Sequence, residues 1–275
     1  MQIFRYYSEA EHALAVLRDL EIRTSIPNTL NDPFELSPKV DAAQFTVRRL
    51  ESFLRQDSEI DRWYQIEGRQ RGFTSKKQFK RSYLKDVPRR AAKLIVNVPK
   101  NVEAVRQNFL NSFSEKWRLI CASRVRDSIL MWSHYGKNHT GIVVEFNTDA
   151  PPFDHMTRSV FPVIYATNKP AYVHSHKDPE FEKAIFTVAT TKAEQWSYEQ
   201  EIRVIVPATP RVLRETIYLP ITAASISTLT VGCHASVSTL TRARAALKRP
   251  EYQHVGLARA ELDRDEYLLN FKEWR

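Results

Sequence analysis

The alternation of apolar and polar positions divides the chain into short strands and amphipathic helices. Residues 3–7 (IFRYY) read as a first strand. Ser8 stands where an N-cap is wanted, and Glu9 and Glu11 fall in the first turn of the helix it would open. Ala13, Leu14, Val16, Leu17 and Leu20 give that helix its apolar face. A short strand at 21–25 leads into Asn31-Asp32-Pro33, a turn signal because proline disfavours helix in the residue before it. From about 42 to 118 the pattern is helical, with Val47, Leu50, Phe53 and Leu54, then Phe79, Tyr83, Leu84 and Val87, at helix spacing. Pro88 and Pro99 are expected to break that run. Strands are predicted at 119–123, 142–146, 161–165, 202–206, 216–220, 227–232 and, as the last, 255–262. Pro162 assigns the 161–165 strand to a sheet edge. Helices are predicted from Phe181 to Val188 and from 239 to 247, and a loop at 166–178 carries His174 and His176. This order has no strict βαβ rhythm. It predicts an α+β fold, one domain over 1–275 built on a bent or split mixed sheet, with a helical insertion at 42–118.

Charge changes the picture in one place. The chain of 275 residues carries a net charge of +9. Residues 48–100 hold fifteen Lys/Arg and six Asp/Glu, which is the whole excess. Basic positions there (Arg69, Arg71, Lys76, Lys77, Lys80 and Arg81) are interleaved with Trp63, Tyr64, Phe73, Phe79 and Tyr83. Cations for phosphate and rings for bases suit single-stranded nucleic acid, while the same rings equally suit the insertion's own core. Two cysteines cannot build a disulfide framework, six glycines include no phosphate-binding loop, and no apolar run approaches a membrane span. The expectation is a cytoplasmic protein without a P-loop or Rossmann nucleotide site.

The candidate chemistry centres on residues 196–207. Glu199, Glu201 and Arg203 sit two apart before and within the β-branched strand 202–206, so an extended chain would put them on one face, roughly 7 Å apart. Buried charges must be paired or used. They therefore form either a structural Arg–Glu pair or a catalytic carboxylate pair. A second cluster, Trp132, His134, Tyr135 and His139, lies beside Gly136 and Gly141 and can line a ligand site, as can Asn31 and Asp32. The cluster lacks zinc-ligand spacing.

Four blocks together, Phe4-Arg5-Tyr6, the NDPFE run from Asn31, Leu130–Tyr135 with 141–146, and Trp196–Arg203, resemble a widespread bacterial family defined only as a domain of unknown function, whose members keep company with phage-defence and toxin genes. That resemblance runs from end to end of the chain. The run 199–207 is also similar to the Glu-x-Glu strand start of ADP-ribosyltransferases. This second resemblance implies NAD as substrate, Arg5 or Tyr6 on the first strand, Ser123 or Tyr135 on a middle strand, Glu201 as the catalytic carboxylate and Glu199 positioning the acceptor. It would also have Arg5 hold the pyrophosphate and Trp132 or Tyr135 stack on nicotinamide, with Asn31 and His134 lining the pocket.

Three functions follow as expectations. The first is an ADP-ribosyltransferase effector acting on a macromolecule, RNA favoured over protein. The second is a nuclease using Asp32, Glu145, Glu199 and Glu201 around a metal. The third is a non-enzymatic module that binds nucleic acid or a partner, such as an antitoxin or chaperone.

Overall fold

The computed structural model describes residues 1–54, 56–95, 98–156, 159–172, 180–208 and 217–274. His174, His176 and Thr216 lie outside these residues. In chain order the elements are β1 (Gln2–Tyr7), α1 (Ala10–Asp19), β2 (Glu21–Arg23), α2 (Ala42–Leu54), α3 (Asp57–Trp63), α4 (Lys76–Ile95), α5 (Val98–Lys116), β3 (Trp117–Ser123), α6 (Ile129–His134), β4 (Ile142–Asn147), β5 (Val160–Pro162), β6 (Ile164–Ala166), α7 (Phe181–Ala189), β7 (Thr191–Ala193), β8 (Glu201–Pro207), β9 (Tyr218–Pro220), β10 (Ile226–Val231), α8 (Val237–Ala246), β11 (Gly256–Leu262) and β12 (Leu269–Glu273). The architecture is α+β. One large mixed sheet has the order β12-β11-β10-β4-β1-β3-β8-β5, and β2 with β9 and β6 with β7 form two small pairs.

The chain gathers into two compact units. The first comprises 1–32, 113–167 and 192–275 and carries the large sheet. Its interior strands β4 and β8 are buried almost throughout, which explains why they read as continuous apolar runs rather than alternations. One sheet face packs Ile3, Tyr7, Val144, Ile202 and Val204 against Leu14 and Leu17 of α1 and Leu240 of α8. The other face gathers Phe4, Tyr6, Trp132, Val143, Ala260 and Leu269. The β10–β11 pair is parallel, with α8 as its crossover.

The second unit comprises 33–112 and 168–191. Ile60, Phe79, Tyr83 and Val87 form its core, with Trp63, Tyr64 and Phe73 packed against them. The aromatics that alternate with the basic residues are therefore this unit's own interior. Tyr172 is buried against Phe45, Phe109 and Phe181, which ties the 168–191 segment to the helices.

Four expectations are corrected. Ser8 does not cap α1: Glu9 is the N-cap residue, and it makes no side-chain bond there. Pro88 does not break its helix, because α4 runs through it while Phe79, Tyr83 and Val87 hold the buried side. The strand at 161–165 divides at Val163, and β5 forms the sheet edge where a residue without an N–H is tolerated. The strand ending at Leu262 is not the last, since β12 pairs with it antiparallel. Among the described residues, no helix is long and apolar enough to cross a membrane.

Candidate active site

The site is built at the start of β8, and its first requirement is a sharp turn. A 3₁₀ turn over Glu194–Glu199 ends at Gln200, whose φ of 43° is left-handed, a conformation non-glycine residues seldom adopt. This turn is held on both sides. The Arg124 amide donates to the Gln200 carbonyl, and the buried Ser123 hydroxyl donates to the Glu199 carbonyl at 2.6 Å while accepting from the Val125 amide. Glu199 is thus not part of an extended chain with Glu201, as its spacing suggested. The turn brings the two carboxylates together by a different path.

They meet on a lysine that sequence reading missed. The Lys192 ammonium donates to Glu199 Oε2 at 2.6 Å and to Glu201 Oε2 at 3.3 Å. Arg203 grips Glu201 through Nε to Oε1 at 2.8 Å and Nη2 to Oε2 at 3.0 Å. All four side chains are 5% exposed or less. Two carboxylates and two cations balance, which is what makes their burial tolerable. That balance is also the signal that could have found Lys192. Two buried acids with one arginine leave a negative charge over, and a nearby cation must answer it.

Polar neighbours separate the two carboxylates in character. The Tyr135 hydroxyl donates to Glu199 Oε1 at 2.6 Å and accepts from Asn31 Nδ2 at 3.2 Å. Burial pushes the Glu199 carboxyl above the usual carboxylate range, and Lys192 and Tyr135 offset this only in part. Burial would raise Glu201 too, but Arg203, Lys192 and the Cys121 thiol outweigh it and hold its carboxyl at about 2. Burial, then the bond to Glu199, raises the Tyr135 hydroxyl. Tyr165 accepts from the Glu201 amide at 2.7 Å, and burial first of all pushes its hydroxyl up to about 12. Outside this centre lie rings: Tyr198 meets His134 Nδ1 at 2.9 Å, and the half-buried Trp196 has the Lys192 ammonium 4.8 Å from its centroid.

Other sequence-predicted residues are placed elsewhere. Phe4 pairs with Ser123, and Ser123 with Glu201, so these three side chains share a sheet face. Arg5, next to Phe4, projects from the opposite face, where its guanidinium lies 5.4 Å from the Tyr7 ring. The register thus sets Arg5, expected to hold the pyrophosphate, on the sheet face away from Glu201. Tyr6 is on the Glu201 face, but its hydroxyl donates to the Val125 carbonyl. Trp132 is fully buried, its Nε1 bound to the Arg126 carbonyl at 2.7 Å and its indole stacked on His139. It is a core anchor, not a platform for a ligand. Glu145 shares a cross-strand row with Glu201 but stands three strands away, ~14 Å at the usual strand spacing. Among the described residues no group of three or more His, Cys, Asp or Glu could hold a metal ion, so the four carboxylates expected around one do not converge.

Of the six expected nucleic-acid residues, Arg71 pairs with Glu67 at 3.0 Å, Lys76 with Asp61, and Lys80 with Asp57 at 3.6 Å. Arg69, Lys77 and Arg81 are exposed.

No curated protein and no solved structure matches this chain. Residues 131–204 match the model of a family described as a protein of unknown function, DUF2971, a span that holds Tyr135, Lys192, Glu199, Glu201 and Arg203 but leaves the two N-terminal blocks outside.

Proposed function

We propose that the chain is a transferase of the ADP-ribosyl type, taking NAD as donor and a macromolecule as acceptor. The observation that supports this reading is the divergence of Glu199 and Glu201 around one lysine. Paired titratable groups whose surroundings push their protonation apart mark acid–base assignments. Glu201, kept ionised, supplies fixed negative charge toward the ribose as the bond from C1′ to the nicotinamide nitrogen breaks and positive charge develops on the sugar. Nicotinamide leaves with the bonding electron pair. The acceptor's hydroxyl or amine attacks C1′, and its proton passes to Glu199, whose raised basicity suits that task. Tyr135 orients Glu199. Arg5 cannot hold the pyrophosphate in this scheme. Arg124 takes that role, since it is exposed, its amide is bonded to the Gln200 turn, and its guanidinium makes no hydrogen bond or ion pair among the described residues. Tyr198 and Trp196, 6.1 Å apart, replace Trp132 as the rings beside nicotinamide. The basic charge of the second unit favours RNA as acceptor. A role in phage defence or as a toxin belongs to the same proposal.

A second reading has its own support: all four oxygens of the two carboxylates already have internal partners. On that reading the network is structural and the chain is a binding module. Purified protein, NAD labelled in its adenylate, and total RNA plus total protein distinguish the two. Label transfer with nicotinamide release, lost in Glu199→Gln and in Glu201→Gln while circular dichroism is unchanged, is the expected result. Folded wild-type protein that releases no nicotinamide overturns the transferase reading and leaves the binding module.

A further inference from the structure

Helix α4 carries a second pattern that the basic composition concealed. Lys77, Arg81, Lys85, Arg89 and Lys93 recur every four residues, the spacing of one continuous ridge on a helix. The buried residues Phe79, Tyr83 and Val87 form the ridge two positions away, on the opposite side. All five cations are exposed, and none makes a hydrogen bond or ion pair among the described residues. The other basic residues of the helix behave differently. Lys76 and Lys80 are answered by Asp61 and Asp57, and Arg90 by Asp86 at 3.2 Å and Glu67 at 3.5 Å. The acids of this unit thus neutralise the flank and leave the ridge uncompensated over ~24 Å of helix.

The ridge borders a cavity of about 320 Å³, whose walls include Arg71, Phe73, Tyr83, Lys85, Arg89 and Arg90. That volume is at the small end of ligand sites, ~300–1,000 Å³. The Arg90 guanidinium lies 3.8 Å from the Tyr83 ring centroid and Arg71 lies 5.7 Å from that of Phe73, so the walls bring cationic planar groups over aromatic rings. Lys85 and Arg89 belong to both features, which joins a track for repeated anions to a slot for one planar group.

We propose that α4 binds single-stranded nucleic acid, with successive phosphates along Lys77–Arg81–Lys85–Arg89–Lys93 and one unstacked base in the cavity. An acidic peptide would satisfy the cations but has no regular planar group for the cavity. A duplex would satisfy the cations but keeps its bases stacked.

The test titrates the full chain with a short fluorescent RNA of mixed sequence across about 50 to 200 mM salt. No NAD is present, so the outcome is independent of the transferase reading. Lys85→Gln with Arg89→Gln is compared with Lys76→Gln with Lys80→Gln, which removes the same charge from residues already paired. The ridge pair is expected to weaken binding at least tenfold and to lower the salt slope by about 1.4, from ~0.7 per phosphate contact. The flank pair is expected to weaken it by under threefold. Matching thermal melts show that both variants fold. Equal losses in both variants, or no saturable binding by the folded wild type, overturn the proposal. A polyglutamate of equal charge that competes as well as the RNA also overturns it, in favour of an acidic protein partner. Inorganic polyphosphate competing equally removes the base from the cavity.

Discussion

The two concentrations of charge in this protein are opposites. Around Lys192 two cations and two carboxylates are buried, balanced and mutually bonded. Along α4 five cations are exposed and unanswered. Charge density alone does not distinguish them. The first arrangement removes charge from water and so must satisfy it internally, which confers rigidity and shifted protonation. The second leaves charge in water, where it contributes little to stability and remains available to a polyanion.

The largest expected effect comes from breaking the balance. Lys192→Met leaves two buried carboxylates with one guanidinium and should cost about 3–5 kcal/mol in urea denaturation. A loss under 1 kcal/mol would place the network in contact with water. Next comes pH. Glu201 is held at about 2, below its ordinary value of 4.5, so its contribution is complete above that ordinary value and is lost as pH falls toward 2. The window is worth roughly 3 kcal/mol. Denaturation curves across it should flatten in Glu201→Gln. Glu199 acts in the opposite sense, because its raised carboxyl gains a proton readily in the folded state and partly offsets the acid loss. A third, smaller effect is Tyr135→Phe, which removes the hydroxyl bonded to Glu199 and should cost about 1.5–3 kcal/mol if that carboxylate is charged, less if it is protonated. Measuring it on both sides of the Glu199 titration sharpens the acid–base assignment. Smallest is Lys77→Gln on the ridge, expected within ~0.5 kcal/mol of wild type by thermal melting. A larger loss there would mean that the ridge is part of the fold rather than a surface.

The core strands were legible because burial on both faces writes itself as apolar runs: residues 142–146 and 202–206 lie in β4 and β8. The helices of 42–118 were legible through their spacing, and the Glu-x-Glu-x-Arg run announced buried charge. The end of the sheet was less so. In β12 only Leu269 is buried, and the neighbouring positions are half-buried or exposed, so its hydrophobic signal is weak.

Residue pattern was thus enough to show which segments are buried, where charge is concentrated, and that Glu199, Glu201 and Arg203 need partners. The tertiary structure alone decided who those partners are. Lys192 reaches both carboxylates from another strand. Arg5 is separated from Glu201 by register, in which a shift of one residue reverses every side chain. The left-handed Gln200 sets where Glu199 points. Asp57 and Asp61 of α3 choose which lysines of α4 are neutralised. Local pattern reports burial and propensity because these act residue by residue. Ion pairing is set by distance in space, which only the packing of distant elements supplies.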